Sequence, residues 1–412
     1  MRYAVAVHGT RGDVEPAAAL ALELIRRGHE IRMAVPPNLV EFAESAGIPA
    51  PVLSYGPDSQ QQVQTEAFDQ WWRLRNPATA LGQAREYLTD GWAQMSQTLT
   101  ATAADADLIL TGTTYQEVAA NVAECLGVPL AALHYFPTRP NSRILPVPLP
   151  MSVVRPAWAV AEWVRWRLLK PAEDEQRRSL GLPDARHRAA RRIAEHGTLE
   201  IQAYDEVFFP GLSADFAGNR PLVGAMALQL AGEADDGVEA WVVGGTAPVY
   251  FGFGSMPVAD PGETVAMISE VCAELGQRAL ICSGAMEVGD LRADGHVKIV
   301  RSVNHAQIFP RCRAVVHHGG AGTTAAGVRA GVPTLVLWVG ADQPVWAQAV
   351  QRLGVGTSRR FSASTAESLR EDLQTVLSAH CAARARATAA LTTPPERSVA
   401  MTADLLEQAA AR

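Results

Sequence analysis

One local pattern occurs twice along the chain and limits what it can fold into. Near the start, the apolar run Tyr3 to Val7 meets the turn "HGTRGDVEP", followed by "AAALALELIRRG" and a second apolar run, "EIRMAVP". Near the middle, "PVYFGFGSMP" leads into an amphipathic segment from about Glu263 to Leu275, then Gly276 and "RALICSG". In the first copy Pro16 falls in the first turn of the predicted helix and Gly28 just past its end, the usual places for those residues. In the second, Val265, Ile268, Cys272 and Leu275 recur with helical spacing, a stripe suited to packing on a sheet. Such strand, turn, helix, strand units bury a parallel sheet under helices, so two copies predict two α/β halves. At 412 residues the chain is long enough for two cores.

Further strands are predicted at "DLILT" and "PLAALHYF" in the first half, around the helical "QEVAANVAEC", and at "VKIVRSV", "RAVVHH" and "PTLVLW" in the second. The pattern lapses in the polar stretch "GEADDGVEA", which sets the expected boundaries: a first domain over 1–215, a linker over 216–240 and a second domain over 241–392. Residues 393–412 read as one more helix, free to cap either domain.

A net charge of -7 disfavours a nucleic-acid reader, which needs a broad basic surface. Five scattered cysteines without a CxxC suggest neither a zinc site nor a disulfide framework, and the reducing cytoplasm is the expected location. The apolar run at the N-terminus is too short for a signal peptide, and no run is long enough for a transmembrane helix. Any membrane contact would therefore be peripheral, at the inner face.

The densest chemistry lies in "VVHHGGAGTTAAGVRAGVPTLVLWVGADQP" (Val315 to Pro344). A strand end, a glycine turn and a helix start at Thr323 bring unpaired N–H groups and the positive end of a helix dipole to one place, a natural anion cradle. His318 can donate to a phosphate oxygen, and Asp342 with Gln343 suit vicinal hydroxyls. Phosphate plus sugar hydroxyls describes a nucleotide sugar. Each residue also has a plainer reading: tight helix packing for the glycines, a core histidine for His318, an N-cap for Asp342. The segment lacks the GKS/T of a P-loop, and "HGTRGD" is not GxGxxG, so an NTPase or a dinucleotide dehydrogenase fits poorly.

Tryptophans gather in the first half, at Trp71 and Trp72 and again in "RPAWAVAEWVRWRLLKP", where Trp158, Trp163 and Trp166 alternate with Arg155, Arg165, Arg167 and Lys170. Three readings stand: a helix packed on the sheet, the wall of an apolar acceptor pocket, or a contact with anionic lipid.

"HHGGAGTT" with "ADQP", "RSVNHAQIFPRC", "FGFGSMP" and "GTRGDVEP" together resemble the GT-B glycosyltransferases of family 1. Within that family the likeness is to the bacterial branch of vancomycin-type glycopeptide and mycobacterial glycopeptidolipid glycosyltransferases. It covers both halves, although the region from about Ala50 to Gln202 carries no motif of the family. The resemblance implies two Rossmann-like domains with parallel sheets facing across a cleft, and inverting sugar transfer without a metal or other cofactor. The donor would be a UDP-, TDP- or GDP-sugar and the acceptor a lipophilic small molecule or lipopeptide. By motif, Ser255 and the turn His318, Gly320, Ala321, Gly322 and Thr323 would hold the pyrophosphate. Val303 and Asn304 would meet the base, and Asp342 and Gln343 the sugar. An aromatic residue often stacks on the base where Val303 stands, so the base is left open. Asp13 matches the family's general base, although on local pattern alone it is a helix N-cap. His8, Thr10 and His134 join Trp71, Trp72, Trp163 and Trp166 as residues expected on the acceptor side. Two other classes remain compatible, a nucleotide-sugar epimerase of the same fold and a non-catalytic nucleotide-sugar binder.

Overall fold

The computed structural model describes residues 1–64, 82, 85–144, 151–216, 218–228, 236–256, 258, 260–284, 286 and 295–411. Trp71, Trp72 and residues 217 and 229–235 of the expected linker lie outside the described residues. The chain forms two compact units: Met1–Glu206 with Pro210–Gln229 and Thr393–Arg412, and Val207–Phe209 with Leu230–Thr392.

The first unit is built on six parallel strands, β1 (Arg2–Ala6), β2 (Glu30–Val35), β3 (Leu53–Ser54), β4 (Leu108–Thr111), β5 (Leu130–His134) and β6 (Leu199–Gln202). They lie in the order β3-β2-β1-β4-β5-β6. β4 is buried along its length, as a strand covered on both faces requires. The helix Arg11–Arg26 follows β1, one turn earlier than the sequence reading placed it, with Thr10 at the N-cap and Pro16 inside. A proline there leaves the Gly12 carbonyl without its helical donor.

The last helix, Pro395–Ala410, belongs to this unit and packs on the helix Arg11–Arg26. Ala403 and Leu406 are fully buried in the contact. Arg27 bonds Asp404 at 2.7 Å and Glu407 at 3.1 Å, while His29 meets Glu407 at 2.8 Å. Partly exposed pairs of this kind contribute about 0–1 kcal/mol each, so apolar burial dominates.

The second unit repeats the architecture with β7 (Val249–Gly252), β8 (Ala279–Cys282), β9 (Val297–Val300), β10 (Ala314–His317), β11 (Thr334–Trp338) and β12 (Gly356–Arg360). Their order, β12-β11-β10-β7-β8-β9, is the same topology counted from the other edge. The helix Pro261–Glu274 starts on Asp260, whose carboxylate accepts from the Glu263 N–H at 2.8 Å. It buries Val265, Ile268, Val271 and Cys272, while Leu275 is partly covered. Phe208 and Phe209 also belong to this unit, each ring 5.2 Å from that of Trp346. All five cysteines are free thiols. Among the described residues no helix is long and apolar enough to cross a membrane.

Both sheets reverse direction beside their first strand, between β1 and β4 and between β7 and β10. Chain segments leaving two such neighbours diverge, and the carboxyl ends of the strands open a crevice there. Leu406→Ala should lower stability by about 2–5 kcal/mol, the cost of a buried leucine deletion, read as a shifted denaturation midpoint of the first unit.

Candidate functional site

In the second unit the "HHGGAGTT" turn leaves β10 at the point of reversal. Gly320 is the N-cap of the helix Ala321–Arg329, and no side chain caps it. Thr324 makes the first intrahelical bond, to the Gly320 carbonyl at 2.9 Å. The amides of Ala321, Gly322 and Thr323 therefore have no carbonyl one turn back, and they carry the positive end of the dipole.

The glycines around this helix start have steric reasons. Gly319 has φ +96, and a Cβ there would approach Val336 to 2.8 Å. The His318 ring lies between two glycine backbones: a Cβ on Gly254 would meet its Cε1 at 2.8 Å, and one on Gly320 its Nε2 at 2.6 Å. Gly254 and Ser255 form the turn after β7, so both strand ends of the reversal contribute to one place. Burial lowers the His318 pKa to about 4, against a smaller opposing effect of the Gly252 carbonyl, and the ring is neutral at pH 7. Its Nδ1 is buried with no hydrogen-bond partner. His317 is fully buried; its Nδ1 accepts from the Gly319 N–H at 2.9 Å, which fixes the turn.

Asp342 stands at the N-cap position of the helix Gln343–Leu353, yet its side chain does not cap. It accepts from the Trp346 indole N–H at 3.0 Å, and burial raises its pKa to about 6. Gln343 is largely committed to its own loop: its Oε1 accepts from the N–H groups of Val339 at 2.7 Å and Gly340 at 3.2 Å. Its Nε2 reaches Met256 Sδ at 3.1 Å, linking the loop after β11 to the loop after β7. Ala341, directly before Asp342, holds φ +55, a strained conformation for a residue with a Cβ. Asn304 caps the short helix His305–Ile308 through a 3.0 Å bond from the Ala306 N–H, and Val303 packs in part on the core. That short helix lies against the helix Ala321–Arg329.

In the first unit the turn after β1 places Asp13 in the first turn of its helix, at the third position rather than the N-cap. Its Oδ2 accepts from the Thr10 N–H at 2.8 Å and from the Thr10 hydroxyl at 3.2 Å. Gly9 makes room for this: at φ +142, a Cβ there would stand 2.3 Å from Asp13 Oδ2. Tyr135, buried at the end of β5, donates its hydroxyl to the Asp13 carbonyl at 2.7 Å. His8 is buried, with Nε2 3.0 Å from the Pro57 carbonyl, and burial lowers its pKa to about 4. Its own carbonyl accepts from the Thr114 hydroxyl at 2.6 Å. The Tyr115 ring meets the His8 ring edge-on at 5.0 Å, and Tyr115 itself adopts φ +55. The ends of β1 and β4 thus assemble Thr10, Asp13, His8 and Tyr115.

Tyr115 and Tyr135 are missing from the sequence reading. "TGTTYQE" follows an apolar run like many loops, and only the strand order brings it beside "HGTRGD". His134 is corrected: it is fully buried, with Nε2 2.7 Å from Gln116 Nε2 and Nδ1 3.1 Å from Gln202 Nε2. It is a core histidine closed in by two glutamine side chains rather than an acceptor contact. Trp163 and Trp166 line a separate groove of about 440 Å3, to which neither strand end contributes.

Residues 3–139 match the glycosyltransferase family 28 N-terminal domain, and residues 262–403 match the erythromycin biosynthesis protein CIII-like C-terminal domain. An uncharacterized glycosyltransferase of Mycobacterium tuberculosis is 54% identical over 100% of both chains. The chain belongs to the family 1 glycosyltransferases. This glycosyltransferase is also 31% identical to GtfE of Amycolatopsis orientalis, over 94% of its own length and 93% of that protein's. The structure of the glycosyltransferase VinC in complex with dTDP superposes with a TM-score of 0.66 at 19% identity, covering 100% of both chains. The fold is GT-B, with two Rossmann-like units each built on a six-stranded parallel sheet.

Buried neutral histidines make the fold acid-sensitive. His8 and His318 titrate near 4 when folded against an ordinary value of 6.5, so the unfolded chain binds more protons between those values. Stability should be full above about pH 6.5 and fall as pH drops toward about 4. Denaturant unfolding at a series of pH values reads this loss, and His8→Gln should flatten the slope for the first unit.

Proposed function

We propose that this glycosyltransferase transfers a sugar, with inversion and without a metal, from a nucleoside-diphosphate sugar to a hydroxyl of a lipophilic or natural-product acceptor. The observation that carries the reading is the uncapped helix start at Gly320, set beside the buried, unpartnered Nδ1 of His318. A diphosphate suits both. The VinC complex with dTDP supports a nucleotide diphosphate as the ligand class. GtfE and the match to an erythromycin-biosynthesis domain support a natural-product acceptor.

Inverting transfer is an in-line displacement in which the acceptor oxygen gains a bond to the anomeric carbon as the diphosphate leaves. Charge accumulates on the leaving group, and preorganised N–H groups at Ala321, Gly322 and Thr323 stabilise it without reorganisation. The acceptor hydroxyl must lose its proton, and Asp13 is the proposed base. A carboxylate is a far weaker base than an alkoxide, so it takes the proton late, as C–O bond formation acidifies the oxygen. The bonds from Thr10 hold the carboxylate in place, and Gly9 leaves the space it occupies.

Both Thr10 bonds converge on one oxygen of Asp13, so Asp13→Asn can keep them through its amide oxygen. Turnover should nevertheless fall by about 10²- to 10⁴-fold, roughly 3–5 kcal/mol of barrier. Nucleotide affinity and melting temperature should stay close to wild type. Near-normal single-turnover transfer by this variant would remove Asp13 from the mechanism.

Two glycine substitutions separate the cradle from its surroundings. A Cβ on Gly320 collides with His318, whereas one on Gly322 meets nothing within 4 Å. Gly322→Val should therefore fold normally and lose nucleoside-diphosphate affinity in titration calorimetry, while Gly320→Val should lose both affinity and some stability. Full affinity in a folded Gly322→Val protein would refute the diphosphate site.

A further inference from the structure

The helix Met151–Ser179 turns one side to the core of the first unit, where Leu169, Glu173, Gln176 and Arg177 are buried. Its other side is unusual. Eight large hydrophobic residues are exposed among the described residues, and three stand together here: Val160, Trp163 and Val164, at 62%, 55% and 37% exposure. Their spacing puts them on a single helix face. Beside that face runs the groove of about 440 Å3, walled by Ala159, Val160, Trp163 and Trp166 on one side and by Arg186, His187, Arg188 and Arg191 on the other.

The lining contains three arginines and no carboxylate, on a chain whose net charge is -7. Arg188 is paired with Glu162 at 3.1 Å and Arg191 with Glu195 at 2.7 Å. Arg186, and Arg167 one turn along the helix from Trp163 and Val164, have no carboxylate partner among the described residues. The Trp166 indole N–H is buried with no acceptor, and Lys170 sits 5.6 Å over its ring. An exposed indole with two valines suits an apolar phase, and unneutralised guanidinium groups around it suit a dense anionic surface. An amphipathic helix lying in a lipid interface has this composition.

We propose that the Val160–Trp163–Val164 face and the arginine wall beside it dock the first unit on the surface of an anionic lipid bilayer. The aromatic and aliphatic side chains enter the boundary between headgroups and acyl chains. Arg167 and Arg186 meet lipid phosphates. The contact stands on this face alone and holds whichever sugar and acceptor the enzyme uses.

The test is co-sedimentation of the full chain with vesicles of phosphatidylglycerol mixed with phosphatidylcholine, against pure phosphatidylcholine, at low and high salt. The expected result is binding to the anionic vesicles only, weakened by salt, with a blue shift of tryptophan emission. Trp163→Ser should lower the partition coefficient about tenfold, and Arg167→Ser with Arg186→Ser should remove most of its salt dependence. The replaced groups are largely exposed, so melting temperatures should not change. Failure to bind anionic vesicles at low salt, equal binding to phosphatidylcholine, or undiminished binding by folded Trp163→Ser would overturn the proposal. So would a dimer in sedimentation velocity that Trp163→Ser dissociates, because the face would then be covered by a second copy.

Discussion

A parallel sheet whose strand order reverses beside its first strand cannot cover both strand ends at the reversal with one helix. The Asp13 carboxylate and the uncapped start of the helix Ala321–Arg329 lie at the two openings so formed, at β1 and β4 in one unit and at β7 and β10 in the other, while Asp342 and Gln343 follow β11. Each opening presents a helix start whose first amides have no intrahelical acceptors. In the first unit Thr10 and Asp13 bond to each other across that start. In the second, glycine stands at the N-cap and offers nothing. The same local geometry thereby holds a carboxylate in one unit and leaves the first amides of the helix without a side-chain cap in the other.

Burial does the electrostatic work in both places. It keeps His8 and His318 neutral and raises the Asp342 carboxyl to about 6. An imidazole kept neutral retains one lone pair and one N–H, so it can accept or donate without bringing a fixed charge into a confined space. Such groups cost stability when unpartnered, and the orphaned Nδ1 of His318 is a place where folding has left hydrogen-bonding capacity unspent. Backbone strain at Ala341 and Tyr115, each on a loop leaving the carboxyl end of a strand, belongs to the same pattern.

Most of the central strands were legible because a strand buried on both faces must be apolar throughout. "DLILT", "RAVVHH" and "PTLVLW" announce β4, β10 and β11 in this way. The edges were not. β12, "GTSRR", is only partly buried, and β3 contributes two exposed residues, so neither carries a hydrophobic signal. The start of the first helix was misplaced because Pro16 looks like a first-turn proline, while the capping pair Thr10 and Asp13 lies one turn earlier. His134 looked available because a histidine closing a strand is often exposed; the amides of Gln116 and Gln202, distant in sequence, bury it.

The sequence by itself determined the two α/β halves, the glycine turn before an uncapped helix, and the carboxylate in the turn after the first strand. These are local properties, set by hydrophobic period, by the absence of a Cβ and by spacings of three or four residues. Tertiary structure alone decided that Tyr115 would stand against His8, that Tyr135 would hold the start of the Asp13 helix, and that Trp163 would face away from the core. Those relations depend on which strands become neighbours and on which side a long helix turns inward. Both are settled by the packing of segments far apart in the chain, and no single segment encodes them.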